Sequence, residues 1–591
     1  MKLINDNNRK WWTLGTVCFA LLMIVLDGNV VNLAIPSIMK TFNAGMSDME
    51  WVNNAYLLTF AIFLITFGRL GDELGRKRFF IGGLIFFVVG SFLCGLAGNA
   101  NQLVLFRVVQ GLGGAAMMPA TLSLIAANFE KRERGMAMGL WGAVSGLGIV
   151  LGPILGGYLT DKGLPSLNGI LHISQYWRYV FYINIPIGII AVLLSFFVIR
   201  ESMDHEKTHK FDFLGILFSS LSIFLLTYGF IEGAKYGWWK SNEAFSLLGH
   251  NIHFGSISVI PFIFLLAVIL LAVFIYVERF CHKDPLVDLK LFKARNFSVG
   301  SFAAAVLSFA MMGSFFLLPL FLQIVMGFAP IKTGTILLPF ALTIMILAPI
   351  SGRLADRIGG KYLIVAGMAI MALGGFYIGH FRVDTQIRDL ILPFIVMGIG
   401  MGLSMPPLNN ITLLETPEDE IGGASGVLST ARQIGSVMGI AILGAFLQTT
   451  LAAKLDANLK AASAIPTPVQ AKILEIAKSS NGLTGNVDWQ KEFAPLVPSA
   501  PSYQIPDSVA KTMPVVELEQ RQKALAAIQT ATREYAETLM TNVNAVVKKS
   551  FVDSINRTFH LAALIALFGA IISLLFRGGR LKDDDEDIDV I

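Results

Sequence analysis

The feature that most constrains this chain is a series of apolar runs. There are about fourteen, each with the roughly 20 mostly apolar residues needed to cross a bilayer. They cover approximately 12–38, 50–69, 79–98, 102–127, 136–160, 177–199, 212–232, 257–278, 298–323, 333–352, 362–381, 390–412, 424–448 and 556–576. In hydrocarbon every backbone N–H and C=O must be satisfied inside the segment, so runs of this length read as helices. Composition agrees: the 591 residues are 54% hydrophobic and 15% charged, where a soluble chain carries about 25% charged residues. The expectation is an all-α integral membrane fold. The run 212–232 has a second reading, a helix lying on the membrane surface. The first run exceeds the roughly 7–15 residues of a signal-peptide core, and no small-residue cleavage site follows it.

Loop charge sets the orientation. One set of alternate loops holds Arg9 and Lys10, then Arg76, Lys77 and Arg78, then Lys131, Arg132 and Arg134. It continues with Lys207 and Lys210, the stretch Lys283 to Arg295, the stretch Arg353 to Lys361, and finally Arg577, Arg580 and Lys582. The other short loops hold scattered cations such as Lys40, Lys162, Lys235 and Lys332. The tally is about 24 against about 8, so the first set is cytoplasmic by the positive-inside rule. Both termini then lie inside and the number of spans is even. The net charge of +5 marks topology and is no nucleic-acid footprint. The acidic end DDDEDIDV reads as solvated.

Several chemistries lack their residues. Cys18 and Cys94 fall within spans and Cys281 in a basic loop, which makes neither a disulfide framework nor a metal site. The glycine-rich GLGGAA at 111–116 lies in a span and lacks the Lys-Ser/Thr ending of a phosphate-binding loop. No metal-spaced His/Cys cluster or nucleophile elbow appears in the sequence. The expectation is a protein that is no enzyme and needs no cofactor or metal.

One external region is long, about 449–555, and rich in Ala, Gln, Lys and Glu with helical periodicity from about 515. It reads as a helical hairpin extending spans 13 and 14, with an irregular tip at about 480–513; the other reading is a mobile loop.

The sequence repeats itself. GRLGDELGRKR at 68–78 and GRLADRIGGK at 352–361 share six of ten aligned positions, and each opens a cytoplasmic loop after an apolar run. The first joins spans 2 and 3, the second spans 10 and 11. Two six-span halves would put the second copy between spans 8 and 9, so two spans, 7 and 8, are inserted. The expected organisation is an N-terminal six-helix bundle at 1–200, two inserted spans with linkers at 201–296, and a C-terminal bundle at 297–591. Transporters are often built from such repeats, with the substrate site near the midplane between them.

Charges inside spans are costly, about 2.5–3.5 kcal/mol each at the centre on insertion scales, and mark function. IVLDGNVVNLAIP at 24–36 carries Asp27, with Asn29 and Asn32 close behind. From the span limits Asp27 lies roughly 16 Å and Arg107 roughly 9 Å from the external side. Opposite charges in the outer half of the membrane should seek each other or a wet cavity. Burial and a neighbouring guanidinium pull a carboxyl's proton affinity in opposite directions, so a site alternating between the two can take up and release a proton. The structural alternative is a fixed ion pair that orients two helices. Gln110, Gln323 and Arg432 are further polar groups within or near spans, and Met311, Phe315 and Met405 suit an adaptable apolar pocket. Each can line a cavity or serve packing.

Two glycine patterns carry geometry. In 68–78, Gly68, Gly71 and Gly75 allow tight turning. Asp72 is suited to accept from backbone amides at a helix start and to pair with Arg76, with Asp356 its repeat counterpart. Gly148, Gly152 and Gly156 recur at i, i+4 and make one smooth face, Pro153 adds a bend, and Gly157 widens the groove.

These motifs carry a resemblance. The Gly-x-Leu-Gly-Asp-x-x-Gly-Arg-Lys loop at 68–77, LFRVVQGLGGA at 105–115, GIVLGPILGG at 148–157, WRYVFYINIPIG at 177–188 and LDGNVVNLAIP resemble the major facilitator superfamily. Specifically they resemble its fourteen-span drug:proton antiporters of the QacA/EmrB type, over nearly the whole chain except 449–555. Asn29 stands where that branch usually has Thr. The resemblance implies that Asp27 is the proton-linked or cation-recognising carboxylate, tuned by Arg107. It implies that Asp72 works a conformational gate with Gly68, Gly71, Gly75, Arg76 and Asp356. It makes the glycine face with Pro153 and Gly157 an antiporter motif that seals the route between halves. The implied function is proton-driven export of amphiphilic, cationic drugs by alternating access from the bacterial inner or plasma membrane. The alternatives are export of lipids or other metabolites on the same fold, and a scaffold or receptor acting through the 449–555 hairpin. Implied partners are the cargo, protons and membrane lipid, with a periplasmic adaptor in cells with two membranes; a monomer suffices.

Overall fold

The computed structural model describes residues 6–129, 131–163, 175–201, 212–242, 245–247, 250–252, 256–280, 289–414, 421–479 and 515–577. Among these, the main helices are α1 (Asp6–Phe42), α2 (Met46–Leu74), α3 (Arg76–Leu96), α4 (Ala100–Asn128), α5 (Lys131–Lys162), α6 (Asn184–Val198) and α7 (Phe213–Tyr236). They continue with α8 (Ile260–Phe280), α9 (Arg295–Leu320), α10 (Leu338–Ile358), α11 (Gly360–Ile378), α12 (Ile387–Leu413), α13 (Ile421–Ala461) and α14 (Val515–Ser573). Short helical turns at Tyr176–Arg178 and Tyr179–Tyr182 lead into α6, and another at Pro330–Ile336 leads into α10. Two three-residue strands, Phe245–Leu247 and His250–Ile252, pair between α7 and α8. Among the described residues twelve helices are long and apolar enough to cross a membrane, α7 included. With α2 (29 residues) and α5 (32 residues) the long helices number fourteen.

Packing sorts the helices. α1 lies on α5, α2 and α3 lie on α4, and α6 lies on α1 and α3. Further along, α9 lies on α13, α10 and α11 lie on α12, and α14 closes on α11 and α13. Without a hydrophobic drive between helices in lipid, such packing depends on small residues that let backbones approach. At the α3–α4 crossing a Cβ on Gly113 would sit 2.7 Å from the Gly83 carbonyl. At the α11–α12 crossing a Cβ on Gly367 would sit 2.7 Å from the Gly400 carbonyl. Gly83 and Gly367 are register-equivalent in the repeat, so the sequence repeat is also a repeat of backbone contact. Helices α7 and α8 pair with each other, and α7 rests against α2 and α13. Much of α8 faces outward: Leu265, Val268, Ile269 and Tyr276 are exposed.

The two groups of helices meet along α2–α13 and along α5 with the Pro330–Ile336 turn and α10. Specific contacts lie at the end that loop charge makes external. A Cβ on Gly157 would come 2.5 Å from the Pro330 oxygen, and one on Gly334 would overlap the Pro153 oxygen. Gln323, in a single π-turn at Phe321–Val325, donates from Nε2 to the Leu33 carbonyl across the divide at 2.9 Å. At the other end Gly68 and Gly71 are nearest Pro119 and Phe79 of their own group, and Gly352 has open space. The protein is sealed on the external side by backbone-level contact.

Beyond the membrane, α13 and α14 run on side by side. Asn458 Nδ2 of α13 donates to Ser550 Oγ of α14 at 3.0 Å. Leu455 and Leu459 of α13 are buried there, as are Val469 and Ile473 of a further short helix, Thr467–Ser479, and Leu539 and Val543 of α14. At 1.5 Å per residue a 59-residue α14 is roughly 90 Å long, about three times the hydrocarbon thickness. The tip expected at 480–513 lies outside the described residues.

The motif loops turn on glycine. Gly75 breaks α2 from α3 at φ +110°, and its repeat partner Gly359 breaks α10 from α11 at φ +89°. An L-residue in such a conformation costs about 1–3 kcal/mol. A Cβ on Gly75 would also come 2.8 Å from the Glu201 carboxyl carbon. Gly75→Ala should therefore lower the thermal unfolding midpoint in detergent, whereas Gly82→Ala, with open space at its Cβ, should not. Gly334→Ala should pry the external seal, raising labelling of a cysteine introduced at Ile331 by an impermeant maleimide.

Candidate functional site

Asp27 sits midway along α1, and three other helices bring polar side chains to it. Arg107 and Gln110 are three residues apart on α4 and so share a face. Ser91 comes from α3, and Asn184 is the first residue of α6. Arg107 Nη1 meets Asp27 Oδ2 at 2.5 Å and also donates to Gln110 Oε1 at 2.7 Å. Gln110 Nε2 donates to Asp27 Oδ1 at 2.8 Å, and Asn184 Nδ2 donates to the same oxygen at 3.1 Å. Ser91 Oγ accepts from both amides, at 3.2 and 3.0 Å, and donates to the Phe181 carbonyl at 2.9 Å. Arg107 Nε donates to the Val52 carbonyl of α2 at 3.2 Å, and its guanidinium lies 4.2 Å from the Tyr56 ring centroid. All five polar side chains are buried, with Asp27 and Arg107 each 1% exposed.

This is an ion pair sealed from water on every side. Taking two charges out of water costs several kcal/mol each, and the pair recovers it only when the remaining donors and acceptors are also met. Gln110, Asn184 and Ser91 meet them on the carboxylate side. Loss of one partner leaves a bare buried charge, at a cost of about 3–5 kcal/mol. Both oxygens of Asp27 already accept, Oδ2 from Arg107 and Oδ1 from Gln110 and Asn184, so a proton arriving there competes with these donors.

The two asparagines behind Asp27 are structural neighbours of the site. Asn32 Nδ2 donates to the Gly28 carbonyl at 3.2 Å, and Asn32 Oδ1 accepts from Asn53 of α2 at 3.0 Å. Asn29 Nδ2 donates to the Val25 carbonyl one turn back at 2.7 Å. A threonine hydroxyl can make the same bond to the preceding turn, which accounts for the exchange of one for the other. Asn29 also lies against the glycine face of α5: a Cβ on Gly152 would come 2.7 Å from Asn29 Cβ. Gly148 similarly meets Val25, and Gly156 meets Val30. The i, i+4 glycines thus seat the Asp27 helix itself. Gly157 and the Pro153 carbonyl face the opposite group of helices, and α5 stays one helix through Pro153.

At the cytoplasmic motif Glu201, beyond the end of α6, reaches the start of α3: its Oε1 accepts from the Lys77 amide at 2.9 Å, and its Oε2 lies 3.6 Å from Arg78 Nε. Lys77 Nζ donates to the Phe196 carbonyl at 2.9 Å. The side chains of Asp72 and Asp356 lie outside the described residues; Arg76 is half-buried at the start of α3. Glu201 gave no sequence signal beyond following an apolar run.

The cavity candidates separate. Gln110 belongs to the Asp27 network and Gln323 to the external seal. Phe315 is buried edge-on against Phe340 of α10, with centroids 4.9 Å apart. Met311 and Met405 are half-buried against the core. Arg432 is half-buried with Ser429 Oγ at 3.4 Å from Nη2. Sequence reasoning missed Ser91 and Asn184, though an asparagine inside the apolar run at 177–199 was a signal. It also missed Glu50 of α2, which is fully buried and accepts from Gln448 of α13. Two further acids lie in the inserted pair: Glu232 of α7 accepts from Trp51 Nε1 at 3.0 Å, and Glu278 of α8 is buried beside Gly215 of α7.

Comparison with known proteins agrees with this architecture. The sequence model of the Major Facilitator Superfamily matches residues 17–440. The chain is 32% identical over 472 residues to multidrug resistance protein Stp of Mycobacterium tuberculosis, covering 79% of this chain and 81% of that one. It is 29% identical over 589 residues to multidrug transporter protein MdtP of Bacillus subtilis, covering 99% and 96%, so that match takes in the external hairpin. It is 30% identical to a tetracenomycin C resistance and export protein of Streptomyces glaucescens, covering 74% and 76%. In fold it is similar to a bacterial homologue of the human lysosomal transporter Spinster in an inward-facing conformation, with a TM-score of 0.58, 16% identity and coverage of 97% and 99%. The chain belongs to the Major Facilitator Superfamily: it is a multi-pass transporter of the bacterial plasma membrane, and not an enzyme.

Proposed function

We propose that this protein is a proton-coupled exporter of amphiphilic, cationic compounds that works by alternating access. In this reading two six-helix bundles, 1–200 and 297–591, rock against each other, with two further spans from 201–296 beside them. The observation that carries it is the sealed Asp27–Arg107 pair, a titratable group placed where a membrane helix bears the full cost of a charge. The relative named a tetracenomycin C resistance and export protein supports the direction of transport, and those named multidrug resistance protein and multidrug transporter protein support the cargo class.

The chemistry follows from the bonds. Ionised Asp27 ties α1 to α4 through Arg107 and Gln110. A proton taken from external water neutralises the carboxylate and releases Arg107; re-forming the pair expels the proton on the other side. Movement of α1 reaches α5, because Gly148, Gly152 and Gly156 seat α1 directly, and reaches the opposite bundle through Gly157. Met311, Phe315 and Met405 supply apolar, adaptable surface for the cargo. Because both oxygens of Asp27 are engaged by protein donors, its role in this reading is to bind the proton.

Asp27→Asn keeps the shape and removes the titration. In proteoliposomes with an imposed pH gradient, efflux of a cationic dye should fall about tenfold or more, each roughly 1.4 kcal/mol being a factor of ten in rate. Dye exchange without a gradient should persist. Undiminished proton-driven efflux would remove Asp27 from the mechanism. The same assay run over neutral lipids and metabolites separates a drug exporter from a lipid or metabolite exporter on this fold.

A further inference from the structure

The external seal contains a carboxyl group that the Asp27 mechanism does not use. Glu50, in the second turn of α2, is 0% exposed. Gln448 of α13 donates from Nε2 to Glu50 Oε1 at 2.9 Å, a bond between the two groups of helices. Gly444, one turn before Gln448, admits the carboxyl: a Cβ there would overlap Oε1. The other oxygen, Oε2, is buried with no hydrogen-bond partner.

Among the described residues no cation forms an ion pair with this group. From α7 the facing titratable groups are Glu232, held by Trp51 Nε1, and Tyr228, whose ring centroid is 5.9 Å from that of Trp51. The group that faces Glu50 from α7 is thus another carboxyl and offers no compensating charge. From α4, Arg107 reaches the α2 backbone at Val52 but spends its charge on Asp27 of α1. On α2 itself Asp48 accepts from the Gly45 amide. From α13 come only the neutral Gln448 and Gly444. A carboxylate enclosed in this way, with one oxygen lacking any donor, is costly as the anion. The neutral acid costs less: Oε1 is the carbonyl that accepts from Gln448, and Oε2 carries the proton, an unpaired hydroxyl being cheaper to bury than an unpaired anion.

We infer that Glu50 is a second proton-binding residue, whose protonation from the external side licenses closure of the external seal. When α2 and α13 part, Glu50 is open to external water and ionises. It must take a proton from that water before Gln448 and Gly444 can close over it, and it returns the proton there on reopening. In an exporter that exchanges cargo for protons, such a rule prevents the empty, unprotonated protein from closing outward. The inference rests on the alternating-access reading, and its test uses no cargo and does not require Asp27.

The experiment places spin labels at Lys162 and Lys332, both exposed on either side of the seal, and measures their separation in lipid nanodiscs from about pH 5 to about pH 9. In the otherwise unchanged protein the closed fraction should fall several-fold as pH rises. Glu50→Gln, a permanent mimic of the neutral acid, should stay closed throughout, and Glu50→Asp should restore the pH dependence. Gln448→Leu should lower the closed fraction at low pH, which supplies a second reading if Glu50→Gln folds poorly. A Glu50→Gln protein that keeps the original pH profile, or an original protein with no pH-dependent separation, overturns the inference. Asp27→Asn run in parallel distinguishes the sites: loss of the profile there and not in Glu50→Gln assigns the titration to Asp27 alone.

Discussion

Everything in the N-terminal group of helices is arranged around one buried ion pair. A carboxylate and a guanidinium in hydrocarbon are tolerable only as partners, and only if their remaining hydrogen-bonding capacity is met. That condition reaches into five helices at once. Arg107 must touch α2 at Val52, and Gln110 must reach both Asp27 and Ser91. The turn before α6 must deliver Asn184 and the Phe181 carbonyl. The pair is thus both a charge store and the registration mark for the bundle.

Glycine makes the pair mechanically useful. The face of Gly148, Gly152 and Gly156 brings α5 against the Asp27 helix at a separation no side chain would allow. The next residue, Gly157, brings the same helix against the Pro330–Ile331 backbone of the opposite group. One helix therefore touches both the Asp27 helix and the external seal. Close-packed elements of this kind shift between discrete arrangements and do not deform smoothly, which is what alternating access requires.

Much of this was legible in the sequence, and the reasons are specific. The apolar runs announced helices because lipid allows no other use of such a run. The repeat at Gly68 and Gly352 proved to be a repeat of conformation, with Gly75 and Gly359 both at positive φ. The Asp27–Arg107 contact could be anticipated although span counting put the two residues at different depths. An arginine side chain is long enough to close a gap of several ångströms, so approximate depth was sufficient. Asn29 was the opposite case: its identity looked anomalous until its amide was found bonded to its own helix, as a threonine would be. Glu201 is a case that residue order could not show: brought in from the far end of α6, it accepts from the Lys77 amide at the start of α3.

The sequence by itself determined the environment, the orientation, the twofold plan and the one carboxylate that no lipid-facing helix could carry without a partner. These are properties of single helices, set by residue type and period. Only the tertiary structure decided which faces meet. That Ser91 and Asn184 complete the Asp27 site, that Glu201 caps α3, and that Glu50 is enclosed by Gln448 and Gly444 are facts about rotation and register between helices far apart in the chain. A helix fixes its own periodicity locally, but the partner of a polar group depends on how neighbouring helices are turned and slid, and that is settled only when the glycine faces and the buried charges are satisfied together.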